Sequence, residues 1–252
     1  MENLPLEMQE HTYAIMNRVE DSHWWFVGRR AILESFLEKI SSELRAANSE
    51  LRFLDVGCGT GANLEMLAGF GDAEGVDVSD DALEFCKAKG LKTHKGLAEE
   101  LPFEDESFDV VTALDVVEHL DDDIAGLKEM YRVLRSGGKT LIFVPAFMWL
   151  WGVQDDISNH RIRYTRKQIV ERMEKAGFEV ERATYANITF FSPILLGRTL
   201  MKLTGVKPES ENNVNVAAFN GFFGKIFSAE RFWLKRANFP FGVSIVLVGK
   251  KK

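Results

Sequence analysis

Leu51-Arg-Phe-Leu-Asp55-Val-Gly57-Cys58-Gly59-Thr-Gly61-Ala62-Asn63-Leu64 is the stretch around which the 252-residue chain is organised. A short apolar run ends in an acid, passes through three alternating glycines and opens into Leu64-Glu-Met-Leu-Ala, a sequence that can be helical. Strand, tight turn and helix follow from that order. Only a residue without Cβ lets the backbone turn so sharply and come close to a bound ligand. The helix that follows aims its free N–H groups and its positive dipole end at whatever sits over the turn. About twenty residues on, Ala73-Glu-Gly-Val-Asp77-Val78-Ser79 reads as a second strand ending in an acid. That spacing suits a carboxylate bonding the ribose hydroxyls of a nucleoside-bearing cofactor. Gly57, Gly59 and Ala62 also satisfy the dinucleotide pattern G-x-G-x-x-G/A, so the loop alone does not choose among nucleoside cofactors, nor against a purely structural turn.

Outward from the loop the chain alternates. Ile32, Leu33, Phe36, Leu37, Ile40 and Leu44 mark an amphipathic helix before the first strand. Strand 52–56, helix 62–69, strand 73–78 and helix 80–89 follow, with Ser79 or Asp80 placed to cap. A short strand near 92–96, a turn carrying Pro102 and strand 108–114 come next. Asp121-Asp-Asp123 supplies acids for the start of helix 122–135, and Gly137-Gly138 is expected to stop it. Strand 139–144 ends before Pro145. Thr165 and Gln168 form a capping-box pattern ahead of helix 166–176, which Gly177 ends. Strands near 178–186 and at Val243–Val248 complete a doubly wound, mostly parallel sheet of seven strands. The fifty or so residues between the last two strands are too many for a plain loop. Phe190, Phe191, Ile194, Leu195, Leu196 and Leu200 make its first part apolar, and Pro208–Asn213 reads as a mobile loop. Phe219, Phe222, Phe223, Ile226, Phe227, Trp233 and Leu234 then recur at helical spacing. This insert can cap the cleft, form a dimer face or rest as a lip on a membrane. The expected division is a helical lid over 1–48, a core over 49–189 and 242–252, and a helical insert over 190–241.

The motifs occur in a telling order. Asp55-Val-Gly-Cys-Gly-Thr-Gly61, Gly75-Val-Asp-Val-Ser79, Gly96-Leu-Ala-Glu-Glu-Leu-Pro-Phe103, Ser107-Phe-Asp-Val-Val111 and Val117-Glu-His-Leu120 succeed one another. Together they resemble the class I S-adenosylmethionine (SAM) dependent methyltransferases, over roughly residues 50 to 180. The resemblance implies a Rossmann-like fold and SAM as cofactor, with S-adenosylhomocysteine as its product. It implies that Asp55, Gly57, Cys58, Gly59 and Gly61 lie beside the methionine moiety and that Asp77, with Val78, receives the ribose. Leu114 and Asp115, at the end of the fourth strand, would flank the methionine part. An acid often precedes the alanine of the adenine motif in this family; here Leu97 stands there. Adenine is then left to the backbone of Ala98 and to Glu99.

Composition narrows the substrate. A net charge of −7 argues against a broad nucleic-acid surface. Cys58 and Cys86 lie far apart in sequence, so neither a disulfide framework nor a zinc site is indicated. His11, His23 and His94 share no motif, so no metal site is expected. No signal-like start or membrane-length apolar run is present, and a cytoplasmic protein is expected. Trp24, Trp25, Arg29 and Arg30 fit two readings: a lid whose arginine meets the SAM carboxylate, or a packed helix with solvated arginines. His160 and Tyr164, in Asn159-His-Arg-Ile-Arg-Tyr164, fall at the mouth of the sheet, where imidazole can take a proton near neutrality. They and His119 are the candidate catalytic residues; a loop tied down through Asp155 and Asp156 is the structural alternative, and His119 is read chiefly as a residue that orders the site. The reading is a methyltransferase for a small-molecule or lipid-like acceptor, monomer or homodimer, with oxygen slightly favoured as the attacked atom. Its rivals are an NAD-dependent oxidoreductase and a non-catalytic SAM-binding module.

Overall fold

The computed structural model describes residues 10–46, 50–205 and 219–252. The expected loop Pro208–Asn213 lies outside them. Seven strands, β1 (Arg52–Val56), β2 (Asp72–Asp77), β3 (Lys92–Lys95), β4 (Phe108–Leu114), β5 (Leu134–Pro145), β6 (Glu179–Ala186) and β7 (Ser244–Lys250), form one sheet of order β3-β2-β1-β4-β5-β7-β6. The first five run parallel. The last strand inserts between β5 and β6, antiparallel to both. The sheet is therefore mixed, as a mostly parallel reading allows.

Alternation along each strand feeds two cores. Leu54, Val56, Val111, Ala113, Ile142 and Val144 pack under Leu127 and Met130 of α5 (Asp123–Val133) and Ile169 and Met173 of α7 (Arg166–Lys175). Phe53, Val110, Leu141, Phe143, Val246 and Val248 face the other way. They meet Ile32, Leu33, Phe36, Leu37 and Ile40 of α2 (Trp24–Arg45) and Phe227 and Leu234 of α9 (Asn220–Leu234). Each of these buried side chains larger than alanine contributes roughly 1.5–3 kcal/mol of transfer free energy. A sheet buried on both faces this way accounts for the near-continuous apolar runs of β4 and β5. Between α2 and α9 the approach is close enough that a Cβ on Gly28 would fall 2.3 Å from Phe227 Cδ1.

Local signals place the helices. Ser79 caps α4 (Asp80–Ala88) through Ala82 N, and Asp122 caps α5 through Ala125 N at 3.0 Å. Both halves of the Thr165–Gln168 capping box close on α7. One expectation fails: α5 ends at Val133, and Gly137 and Gly138 lie inside β5 rather than stopping the helix. The chain enters β5 directly at Leu134, where β4 and β5 shift register, and Gly137 takes φ +82° in that irregular segment.

The crevice lies where the strand order reverses. From β1 the chain proceeds to β2 on one side, whereas β4 pairs on the other, so the C-terminal ends of β1 and β4 part. Residues of α1 (Glu10–Val19), the start of α2, α3 (Ala62–Ala68), α6 (Val153–Ile157), α8 (Phe191–Thr204) and α9 line that opening.

Candidate functional site

The glycine turn is built by three distinct constraints. Gly57 and Gly59 both have positive φ, +68° and +54°. A Cβ on Gly57 would strike Val116 Cγ2 at 2.4 Å, whereas one on Gly59 would meet only Met16 Cε, at 4.0 Å. Gly57 is thus a packing glycine, and Gly59 opens a cradle. Gly61, the N-cap of α3 (Ala62–Ala68), turns left-handed against Leu91 and Cys86 and does not line the cavity.

Asp77 closes the turn. Its Oδ2 accepts from Gly59 N at 2.8 Å and its Oδ1 from Ser79 N at 3.0 Å. The buried carboxylate so holds the glycine turn while lining the cavity beside Val78. Asp55 lies behind the turn, fully buried and off the cavity wall, with Oδ1 accepting from Thr112 Oγ1 at 2.6 Å and Oδ2 without a partner. Burial pushes its carboxyl up to about 7, against the Thr112 hydrogen bond and the charge of Arg29. Cys58 packs with Leu64 and Cys86 as a small buried residue; the two thiols, remote in sequence, are neighbours in space and both free.

A single cavity of about 750 Å³ extends from this turn. Gly96, Leu97, Ala98 and Glu99 form one wall of it, and burial raises the Glu99 carboxyl. Leu114 and Asp115 form the floor between the diverging strands. Asp115 holds φ +63°, a conformation few non-glycine residues adopt. Its Oδ2 receives Arg29 Nη2 at 2.8 Å. Arg29 is buried, and its guanidinium lies 5.2 Å from the ring centroids of both Trp25 and Phe143. Arg29 is therefore not a solvated arginine. Arg30, half-buried, donates to Glu20 O and pairs with Asp21. Trp24 and Trp25 also line the cavity while packing against Phe190 and Phe143.

The same cavity gathers the second set of candidates. His160 Nδ1 is 2.8 Å from Asp155 Oδ1. Asp155 also accepts from Arg163 Nη1 at 2.7 and 3.0 Å and lies 3.5 Å from Arg198 of α8. Burial alone would raise this carboxyl; the hydrogen bond from His160 and the two guanidinium charges prevail and hold it near 2. An ionised Asp155 keeps the proton of His160 on Nδ1 and leaves the Nε2 lone pair toward Glu118 Oε1, 3.9 Å away. His119 meets His160 edge-on, ring centroids 4.7 Å apart, and burial with the charges of His160 and Arg161 pushes it down to about 3. Such an imidazole stays neutral and is a poor acceptor of protons near neutrality. Tyr164 corrects the sequence reading. Its phenol is fully buried, donates to Asp123 Oδ2 at 2.7 Å and does not reach the cavity; burial and that carboxylate raise it well above the ordinary phenol range.

Several lining residues carry no local signature. Tyr13, Met16 and Glu20, at and just beyond α1, roof the turn, and Glu20 accepts from Thr60 Oγ1 at 2.7 Å. Phe190, Pro193 and Ile194 with Phe223 add an apolar wall from the segment before β7. α9 is tied down by Glu230, which accepts from Asn187 N and Thr189 N at 2.7 and 2.8 Å. An N-terminal lid is expected over 1–48, but which of its side chains meet the turn could be read only by knowing what it packs on.

Residues 54–142 match a family model described as a methyltransferase domain. The chain is 38% identical over 100 residues to a demethylmenaquinone methyltransferase of Chlorobaculum parvum, covering 38% of this chain and 42% of that protein. It is 29% identical over 169 residues to a chloroplastic 2-methyl-6-phytyl-1,4-hydroquinone methyltransferase of Oryza sativa subsp. japonica, covering 64% of this chain and 49% of that protein. The chain thus spans about half the length of these curated relatives. A solved structure from Thermotoga maritima, titled a SAM-dependent methyltransferase and possible histamine N-methyltransferase, superposes with TM-score 0.57 at 24% identity over 96% of this chain and all of that one. A Haemonchus contortus phosphoethanolamine N-methyltransferase 2, solved with SAM, gives TM-score 0.54 at 23% identity, covering 85% of this chain and 52% of that one. The glycine turn lies within the segment that matches the methyltransferase domain model, and the mixed seven-stranded sheet superposes on solved methyltransferases; over that segment the chain is similar to the SAM-dependent methyltransferases.

Proposed function

We propose that the protein transfers a methyl group from SAM to a small or apolar acceptor, with oxygen as the favoured attacked atom. One observation carries this: a single cavity joins the glycine turn and Asp77 to the His160–Asp155 pair beneath an aromatic wall. The residues present fit the cofactor. Gly59 leaves a cradle, Asp77 offers carboxylate oxygens, and Arg29, which lines the same cavity, keeps a buried Nε without a partner. Gly57, Gly59 and Cys58 would pass backbone contacts to the methionine portion, with Arg29, Leu114 and Asp115 around it. Asp77 and Val78 would take the ribose; Ala98 and Glu99, with apolar surface from Leu97, would take the adenine.

SAM supplies a methyl already activated by the sulfonium charge, so the protein's part is positioning and exclusion of water. His160 Nε2 takes the acceptor's hydroxyl proton, while Asp155 holds the ring and stabilises the imidazolium. α1 and the start of α2 act as the lid, and residues 190–241 as the substrate cap. The quinone and hydroquinone in the relatives' names agree with an apolar acceptor meeting Phe190, Ile194 and Phe223. Incubation with methyl-labelled SAM and a panel of phenols, hydroquinones and amines tests the reading. Label is expected in an organic-extractable phenol or hydroquinone; label confined to polar amines would reject the acceptor class.

Two variants probe the cofactor end. Asp77→Ala is expected to weaken SAM by about 2 kcal/mol, roughly thirtyfold, through lost charge-assisted hydrogen bonds; calorimetry showing unchanged affinity would move the ribose contact elsewhere. Gly57→Ala and Gly59→Ala should part company. The first drives a methyl into Val116 and lowers Tm more, whereas the second fills the cradle at a backbone cost of roughly 1–2 kcal/mol and loses SAM affinity more. Equal effects of both on melting and binding would remove the distinction.

A further inference from the structure

We propose that Glu118, His119 and His160 form a binding site for one divalent first-row transition cation at the acceptor end of the cavity. Their ligand atoms all lie within 4.8 Å of one another. Glu118 is fully buried, and neither of its carboxylate oxygens has a hydrogen-bond partner. A buried carboxylate left so is costly unless a cation or a proton meets it. Both imidazoles line the cavity, and Glu118 sits with Oε1 3.9 Å from His160 Nε2.

The surroundings are those of a held ligand set. His160 gives its Nδ1 to Asp155 at 2.8 Å, which directs Nε2 at the Glu118 carboxylate. Asp155 is in turn fixed by Arg163. A carboxylate behind a ligating histidine sets the tautomer and aims the ring, and metal sites commonly have one. The two segments are locked together by backbone as well: Arg161 N donates to Glu118 O at 2.7 Å. Two imidazoles and one carboxylate suit Zn²⁺, Mn²⁺ or Fe²⁺ rather than Ca²⁺ or Mg²⁺, which prefer oxygen sets. Coordination at about 2 Å requires the three donors to draw together by small side-chain rotations. A cation held there turns its remaining positions to the cavity, where it can bind an acceptor oxygen and make its proton easier to lose. In that state His160 is a ligand, and the cation takes over the activating role assigned above to its lone pair.

Untagged, chelator-treated protein is titrated with Co²⁺ and followed by visible absorption, with Zn²⁺ read by competition. One equivalent of Co²⁺ should bind, with absorption bands displaced by Zn²⁺. Glu118→Gln and His160→Asn should each weaken uptake about tenfold or more, by loss of a ligand. His94→Ala, on β3 and bonded to Glu74, should leave uptake unchanged. Melting curves identify any variant that fails to fold, and the other then carries the comparison. Absence of stoichiometric uptake, or uptake undiminished in the folded variants, overturns the site. SAM titration of the same metal-free protein keeps the two conclusions separate: SAM binding without cation binding rejects this site alone.

Discussion

His160→Ala should lower turnover by roughly 10²-fold or more while SAM affinity changes by no more than about twofold. The expectation rests on where the ring stands. His160 lines the cavity from the segment after β5, and its hydrogen-bond partner is Asp155 rather than a residue of the glycine turn. Loss of the imidazole removes Nε2 from the acceptor, whether it acts there as a base or through a bound cation. Asp155→Asn should lower turnover too, because an amide can no longer hold the proton on Nδ1; it should also destabilise the protein, since Arg163 loses its charge partner. A histidine that merely pins the loop would behave otherwise. His160→Ala would then lower Tm and leave specific activity of the folded fraction intact, and steady-state kinetics beside melting curves separate the cases.

The second large effect is on stability. Asp55 titrates near 7 in the folded protein and near 3.8 in its ordinary state, with burial as the principal cause. The folded state thus holds a proton that the unfolded chain releases between those values. This contribution is fully present below about 3.8, is lost as pH rises toward 7, and is gone above it, amounting to up to about 4 kcal/mol. Glu118, raised well above its ordinary value by burial and by Asp115, pushes in the same direction. In the cofactor-free protein Asp55→Asn should therefore raise Tm at pH 8 relative to wild type and have little effect near pH 4. Thermal melts across that range decide it. A Tm difference independent of pH would mean that the carboxyl is ionised in the fold throughout.

What the sequence discloses depends on how local the determinant is. The turn at Gly57, Gly59 and Gly61 was legible because backbone freedom is a property of the residues themselves. The same holds for the caps at Ser79 and Thr165–Gln168, where side chain and amide are three residues apart. Gly137 and Gly138 misled because glycine marks an irregular backbone without saying which element contains it; here it is the register shift entering β5. The placement of β7 between β5 and β6 depends on pairing with distant strands, which no window around Val243–Val248 contains.

The site divides the same way. Asp77, Ala98, Glu99, Leu114 and Asp115 follow their strands and reach the cavity. His160 and Tyr164 are four residues apart in a segment without helical or strand periodicity, so spacing could not say that one faces the cavity and the other Asp123. Glu118 and His119 are adjacent, but their meeting with His160 is a tertiary fact, as is that of Cys58 with Cys86. Glu20 is a buried acid only because Thr60 and Lys89 are there to receive it.

Calorimetric titration with SAM, S-adenosylhomocysteine and NAD tests the central claim most directly. The account predicts saturable one-to-one binding of the first two, weakened together by Asp77→Ala, and no heat of binding with NAD. Binding of NAD with none of SAM would contradict it, because the glycine turn and Asp77 would then serve a dinucleotide.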